Sequence, residues 1–262
     1  MCGRYIQVKN VEIIEKRFNV RVPEGIELTP NYNVSPGDYA PVITNENPGK
    51  VQLLQFGLTP FWAKKPMYLF NARAEGDKNK ENDPNYTGGK EIISKPSFRK
   101  AIRSQRCLVI ADAFYEGTTK ERLNKPYVVY LKGKQGPFAF AGIWDVWQNP
   151  ETKEEVNSFA IITTTTNSLL QKIPHHRSPV ILPRNREQAW LNSNKPLTDI
   201  TRMLQPLNGE LMNAYPVSTQ VKNSRDKSKE LITPIRQPLS PDIGFKENTS
   251  LELHGMGHYK RK

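Results

Sequence analysis

Removal of Met1 would leave Cys2 as an N-terminal 1,2-aminothiol. An α-amine with a pKa of about 7.7–8.0 is roughly one-tenth neutral at pH 7, so it attacks aldehydes without special burial. The Schiff base formed first can then be closed by the adjacent thiol into a five-membered thiazolidine, a step lysine has no means to perform. The same residue could also act as an N-terminal nucleophile, its thiolate attacking a carbonyl with its own amine as base. Gly3 gives the terminus backbone freedom to enter a pocket. Arg4 adds a permanent cation suited to a phosphate beside the nucleophile.

Three further islands carry groups that could assist. In Phe70-Asn71-Ala72-Arg73-Ala74-Glu75 an extended backbone would put Asn71 and Arg73 on one side, an amide to orient a reacting group and a guanidinium to hold a phosphate. The run 108–117 (LVIADAFYEG) ends in Tyr115-Glu116-Gly117, and a carboxyl at the end of a buried strand is desolvated towards the range useful for proton transfer. In Ile173-Pro174-His175-His176-Arg177-Ser178-Pro179 the flanking prolines stiffen a loop that offers an imidazole and another guanidinium. Read singly, each island is equally a cap, a solvated strand end or a polar loop.

These residues need a scaffold. Residues 11–18 have helical spacing, with Val11, Ile14 and Phe18 on one side. Strands are expected at 40–44, 51–58 and 158–166, and in the apolar runs 107–115, 126–132 and 137–144. Asn167 is placed to cap a short helix at 168–172, and 187–192 reads as another. Residues 76–91 read as a long polar surface loop. Many short strands with scattered helices predict a mixed α+β domain around a largely antiparallel sheet or barrel. From about residue 237 the periodicity fades, predicting a mobile or peripheral tail.

Composition narrows the partners. The chain has 262 residues, enough for one large domain, and a formal net charge of +12. Residues 243–262 hold four basic and two acidic groups, so +10 of that charge lies elsewhere. Such a surface favours polyanions, nucleic acid first among them. With only Cys2 and Cys107, a disulfide framework is not expected. No apolar run approaches a signal peptide or a membrane span, so a cytoplasmic protein is expected. The four histidines and two cysteines show no metal-site spacing, so neither metal nor cofactor is expected.

Taken together, the islands resemble the SRAP family (SOS-response-associated peptidase, also called abasic-site processing proteins). The resemblance rests on MCGRY at 1–5, NARAE at 71–75, FYE at 114–116 and H-x-R-x-P at 175–179. YNVSP at 32–36, GLTPFW at 57–62, KPY at 125–127, AGIW at 141–144 and YPVS at 215–218 support it. It implies a single domain over residues 2–236 with a curved, barrel-like β core and peripheral helices, followed by an extension at 237–262. It also implies covalent attachment to abasic sites in single-stranded DNA; nothing in the sequence demands an oligomer, so a monomer is expected, nucleoid-associated when on DNA. On that resemblance Cys2 is the crosslinking nucleophile, Asn71 positions the thiazolidine and Glu116 is the acid/base. His175 would assist sugar-ring opening and crosslink reversal. Arg4, Arg73 and Arg177 match phosphate-holding positions, and Pro36 and Trp62 match apolar surface against the flanking bases.

The sequence departs from the family pattern at Gly117, where Trp is usual, and at His176 and Ser178, which replace an acidic residue and Met. Two other readings stay open: a cysteine peptidase whose mildest act is self-removal of Met1, and a non-catalytic single-strand binding module. Weak lyase activity is expected wherever a Schiff base persists without ring closure.

Overall fold

The computed structural model describes residues 3–133 and 136–242. Strand β1 (Tyr5–Gln7) leads into helix α1 (Val11–Phe18), which buries Ile14 and Phe18. Asn10 caps α1 by accepting from Ile13 N, and Asn19 closes it in the left-handed conformation. Next come β2 (Asn31–Val34), β3 (Tyr39–Thr44), β4 (Gln52–Phe56), β5 (Asn71–Arg73) and the one-turn helix α2 (Ala101–Ser104). The expected strand at 107–115 is two strands, β6 (Arg106–Ala111) and β7 (Ala113–Thr118), divided at Asp112. Asp112 spends a carboxylate oxygen on Val8 N (2.8 Å) and turns the chain from one sheet to the other.

The long strands β8 (Arg122–Leu131), β9 (Phe138–Gln148) and β10 (Glu155–Thr165) follow. Helix α3 (Ser168–Lys172) begins where Asn167 accepts from Leu170 N, as its sequence signal predicts. The rest comprises β11 (Arg177–Pro179), β12 (Ile181–Leu182), α4 (Arg184–Leu191), α5 (Leu197–Arg202) and β13 (Met212–Pro216). Helix α4 starts earlier than its apolar spacing suggests because Pro183 stands at its N-cap, a position that needs no backbone donor.

Five of these strands close on themselves in the order β10–β4–β3–β6–β9 and back to β10. The pairings are antiparallel except β10 with β4, so the α+β fold has a closed, barrel-like core. A second sheet, β13–β8–β7–β1–β2, packs beside it. Strand alternation assigns side chains to two sides. Leu108, Ile110, Ala139, Ala141, Ile143, Ala160 and Ile162 join Ile14, Ile102 and Trp190 from the helices. Their neighbours Cys107, Val109, Phe140, Phe159 and Ile161 join Tyr5, Phe114, Val129 and Ala214 of the second sheet.

The second sheet is buried on both faces. Its other side presents Ile6, Tyr115, Val128, Tyr130 and Tyr215 to Val217, Val221, Leu231 and Ile232. This double burial explains why Ala113, Phe114 and Tyr115 of β7 are apolar on both faces. Residues 237–242 lie against β13: Leu239 N donates to Ala214 O (2.8 Å), and Tyr130 donates to Asp242 Oδ2 (2.7 Å). Residues 243–262 of the expected extension lie outside the described residues.

Candidate functional site

Glu116 lies on β7 two residues after Phe114, so the pleat turns its side chain to the same side, between the two sheets. It is only 4% exposed. The loop after α3 brings His175, equally buried, to within 3.4 Å, Nε2 to Oε2. His175 Nδ1 lies 2.8 Å from Gly117 O. A carbonyl only accepts, so Nδ1 carries the proton and Nε2 presents a lone pair towards Glu116.

Two shifts agree with that tautomer. Burial pushes the Glu116 carboxyl above its usual range. Burial likewise holds the His175 imidazolium down, to about 3. Both shifts disfavour the charged forms, so burial opposes a carboxylate–imidazolium ion pair here. A carboxyl shifted up by burial moves towards the range in which it can pass a proton to a leaving group.

β1 runs antiparallel to β7, pairing Tyr5 with Phe114, and Tyr115 N donates to Arg4 O (2.9 Å). That register sets Gly3 towards the level of Glu116. Cys2 itself lies outside the described residues. Arg4 is half-buried and donates to Val221 O (2.8 Å), Lys222 O (3.2 Å) and Asn33 Oδ1 (3.1 Å). Fully buried Asn33 holds the same segment through Nδ2, donating to the carbonyls of Val221, Asn223 and Asp226.

Asn71 and Arg73 face the same way on β5, which pairs with β10 at Ile161–Thr163. β11 pairs with β10 on its last residues, setting Arg177 opposite Thr165. Strand β10 thus gathers the NARAE and H-x-R-x-P islands. Asn71 Nδ2 donates to Phe70 O (3.0 Å). Arg73 donates to Asn79 O and to Asn82 Oδ1 (3.1 Å), tying it to the polar loop.

Arg177 lies deeper than a surface phosphate grip. It is 1% exposed, donates through Nη1 to Glu75 Oε2 (2.8 Å) and through Nη2 to Thr163 Oγ1 (3.3 Å). Glu75 also accepts from Thr164 Oγ1 (2.7 Å) and Lys90 Nζ (3.1 Å). Burial pushes the Glu75 carboxyl up, but Arg177, Thr164 and Lys90 outweigh it and bring it to about 2. Glu75 stood inside a recognised motif, yet its role depends on partners 15, 89 and 102 residues away, which no local pattern encodes.

Pro36 and Trp62 are exposed, and no described hydrogen bond joins either to the Glu116–His175 pair. Pro36 and Gly37 are the central residues of a turn in which Asp38 N donates to Ser35 O (2.9 Å), and Gly37 has the positive φ (+99°) that such a turn requires. Trp62 donates to Pro96 O (3.3 Å) and is 47% exposed. Gly117 has a steric reason for departing from the family pattern: a Cβ there would stand 1.8 Å from Arg122 O, beside a bulge in the β7–β8 ladder. Ser178 is buried and pairs with Thr164. Among the described residues no cluster of His, Cys, Asp and Glu is arranged to hold a metal.

The SOS response associated peptidase (SRAP) family matches residues 1–224. Abasic site processing protein YoqW of Bacillus subtilis is 36% identical over 240 residues, 88% of this chain and 99% of that protein. Abasic site processing protein HMCES of Xenopus tropicalis is 25% identical over 276 residues, 90% of this chain and 78% of that one. A crystal structure of a Bacteroides thetaiotaomicron protein superposes with a TM-score of 0.72 at 29% identity, covering 86% of this chain and 97% of its own.

Proposed function

The chain belongs to the SOS response associated peptidase (SRAP) family, and on that premise we propose that it captures abasic sites in single-stranded DNA through the aminothiol of Cys2. The observation that carries the proposal is the buried Glu116–His175 pair beside the strand that begins the chain. Relatives named abasic site processing proteins, matched over most of their length, support the same substrate.

In the proposed sequence the neutral α-amine attacks C1′ of the open-ring deoxyribose. Glu116 gives its proton to the carbinolamine hydroxyl, which leaves as water, and the iminium forms. The Cys2 thiolate then adds to that carbon, closing the thiazolidine. His175 holds the Glu116 proton in place and assists ring opening and reversal. The Asn71 amide orients the ring, and Arg4 and Arg73 face backbone phosphates. Arg177, already paired with Glu75, braces β5 against β11 beneath the surface rather than gripping phosphate. Pro36 and Trp62 offer exposed apolar surface to the neighbouring bases. Where the thiol is missing, the iminium persists and the strand is nicked by β-elimination.

The test is incubation with a single-stranded oligonucleotide bearing one abasic site, followed by denaturing electrophoresis and mass analysis of the linkage. Wild type should give an adduct that survives denaturation, and Cys2→Ala should not. An equally durable adduct from Cys2→Ala would end the proposal.

A further inference from the structure

His176 departs from the family pattern, and the reading above gives it no task. Its ring stacks on that of His175, centroids 5.1 Å apart and planes inclined by 24°. Its Nδ1 lies 2.6 Å from Thr119 Oγ1. The one hydroxyl proton of Thr119 goes to Pro174 O (3.0 Å), so Oγ1 receives a proton from Nδ1. The ring is thereby fixed with its lone pair on Nε2, which no hydrogen bond occupies among the described residues. The deeper pair has no such vacancy: His175 spends Nδ1–H on Gly117 O and turns Nε2 to Glu116. Burial holds the His176 imidazole down to about 4, so it is neutral at pH 7. A half-buried, oriented and neutral imidazole beside an acid pair is equipped to take a proton.

We propose that His176 is the general base of the β-elimination branch, its Nε2 removing the C2′ proton from the iminium formed between the N-terminal amine and C1′ of an abasic site. The C–H electron pair becomes the C1′–C2′ double bond as the iminium nitrogen recovers its lone pair. That enamine then returns its electrons, the C2′–C3′ double bond forms, and the 3′ phosphate departs with the C3′–O pair. The inference rests on the capture reading above, because it needs the iminium.

The experiment uses full-length Cys2→Ala, which keeps the amine and removes ring closure, on a 5′-labelled single-stranded oligonucleotide with one abasic site. Borohydride trapping reports the iminium, and strand nicking reports elimination. Adding His176→Ala or His176→Gln should leave the trapped adduct at the parent level and slow nicking about 100-fold, the scale of a positioned base. His176→Glu should restore much of the nicking, since a carboxylate there is also a base, whereas a merely structural role would not be rescued so. Trapped adduct with nicking unchanged in His176→Ala, or slow nicking that Glu does not rescue, would overturn the assignment. Absence of trapped adduct in Cys2→Ala itself would overturn the capture reading and this inference with it.

Discussion

Burial moves the two buried partners Glu116 and His175 in opposite directions on the pKa scale, because it penalises whichever form carries charge. Each shift favours the uncharged form of its group. Glu116→Gln keeps the shape but has no acidic proton. It should fold with an unchanged melting temperature at pH 7 while adduct formation slows about 100-fold. Single-turnover adduct kinetics beside thermal melting would check this, and a large fall in melting temperature would mean that Glu116 is ionised in the folded state. Glu116 was legible as a candidate from the end of its apolar run. Its burial was not, because the cover comes from the loop carrying His175 and from the facing sheet. Asn167 was fully legible, since a cap is decided within a few residues.

At the scale of elements, Glu75 joins the end of β5 to β10, β11 and the polar loop through Thr164, Arg177 and Lys90. Its carboxyl falls from 4.5 in the unfolded chain to about 2 in the fold. A lowered value means that the stabilisation is complete above about pH 4.5 and is lost as pH falls from there towards 2. The part at stake is on the order of 3 kcal/mol. Denaturant unfolding of wild type should therefore show a steeper loss of stability between pH 4.5 and 3 than Glu75→Gln shows. Parallel pH profiles would argue against Glu75 as the joint. The elements themselves followed the sequence wherever alternation or capping was local. Where tertiary contacts decided, the pattern blurred: Asp112 splits one apolar run into two strands, and β5 is too short to announce itself.

For the whole molecule, charge and position separate the arginines. Affinity for single-stranded DNA should fall linearly with the logarithm of salt, by about 0.7 in slope for each phosphate contacted. Arg73→Ala should reduce that slope by about one contact at nearly unchanged stability. Arg177→Ala should instead cost stability, about 3–5 kcal/mol, because it leaves the Glu75 carboxylate buried without its guanidinium. Binding titrations across salt concentrations, set beside urea unfolding, would separate the two. Composition pointed to a polyanion but could not foretell which arginine sits beneath the surface, since that depends on strands distant in sequence converging on β10.

The anchoring of Arg4 also sets an order of events during synthesis. Its guanidinium is held by the carbonyls of Val221 and Lys222, and by Asn33, which grips the same segment. Those carbonyls follow Arg4 by 217 and 218 residues, so they leave the ribosome long after it. A half-made chain can expose Arg4 but cannot anchor it. Its guanidinium is therefore held only once the segment through Lys222 has been made.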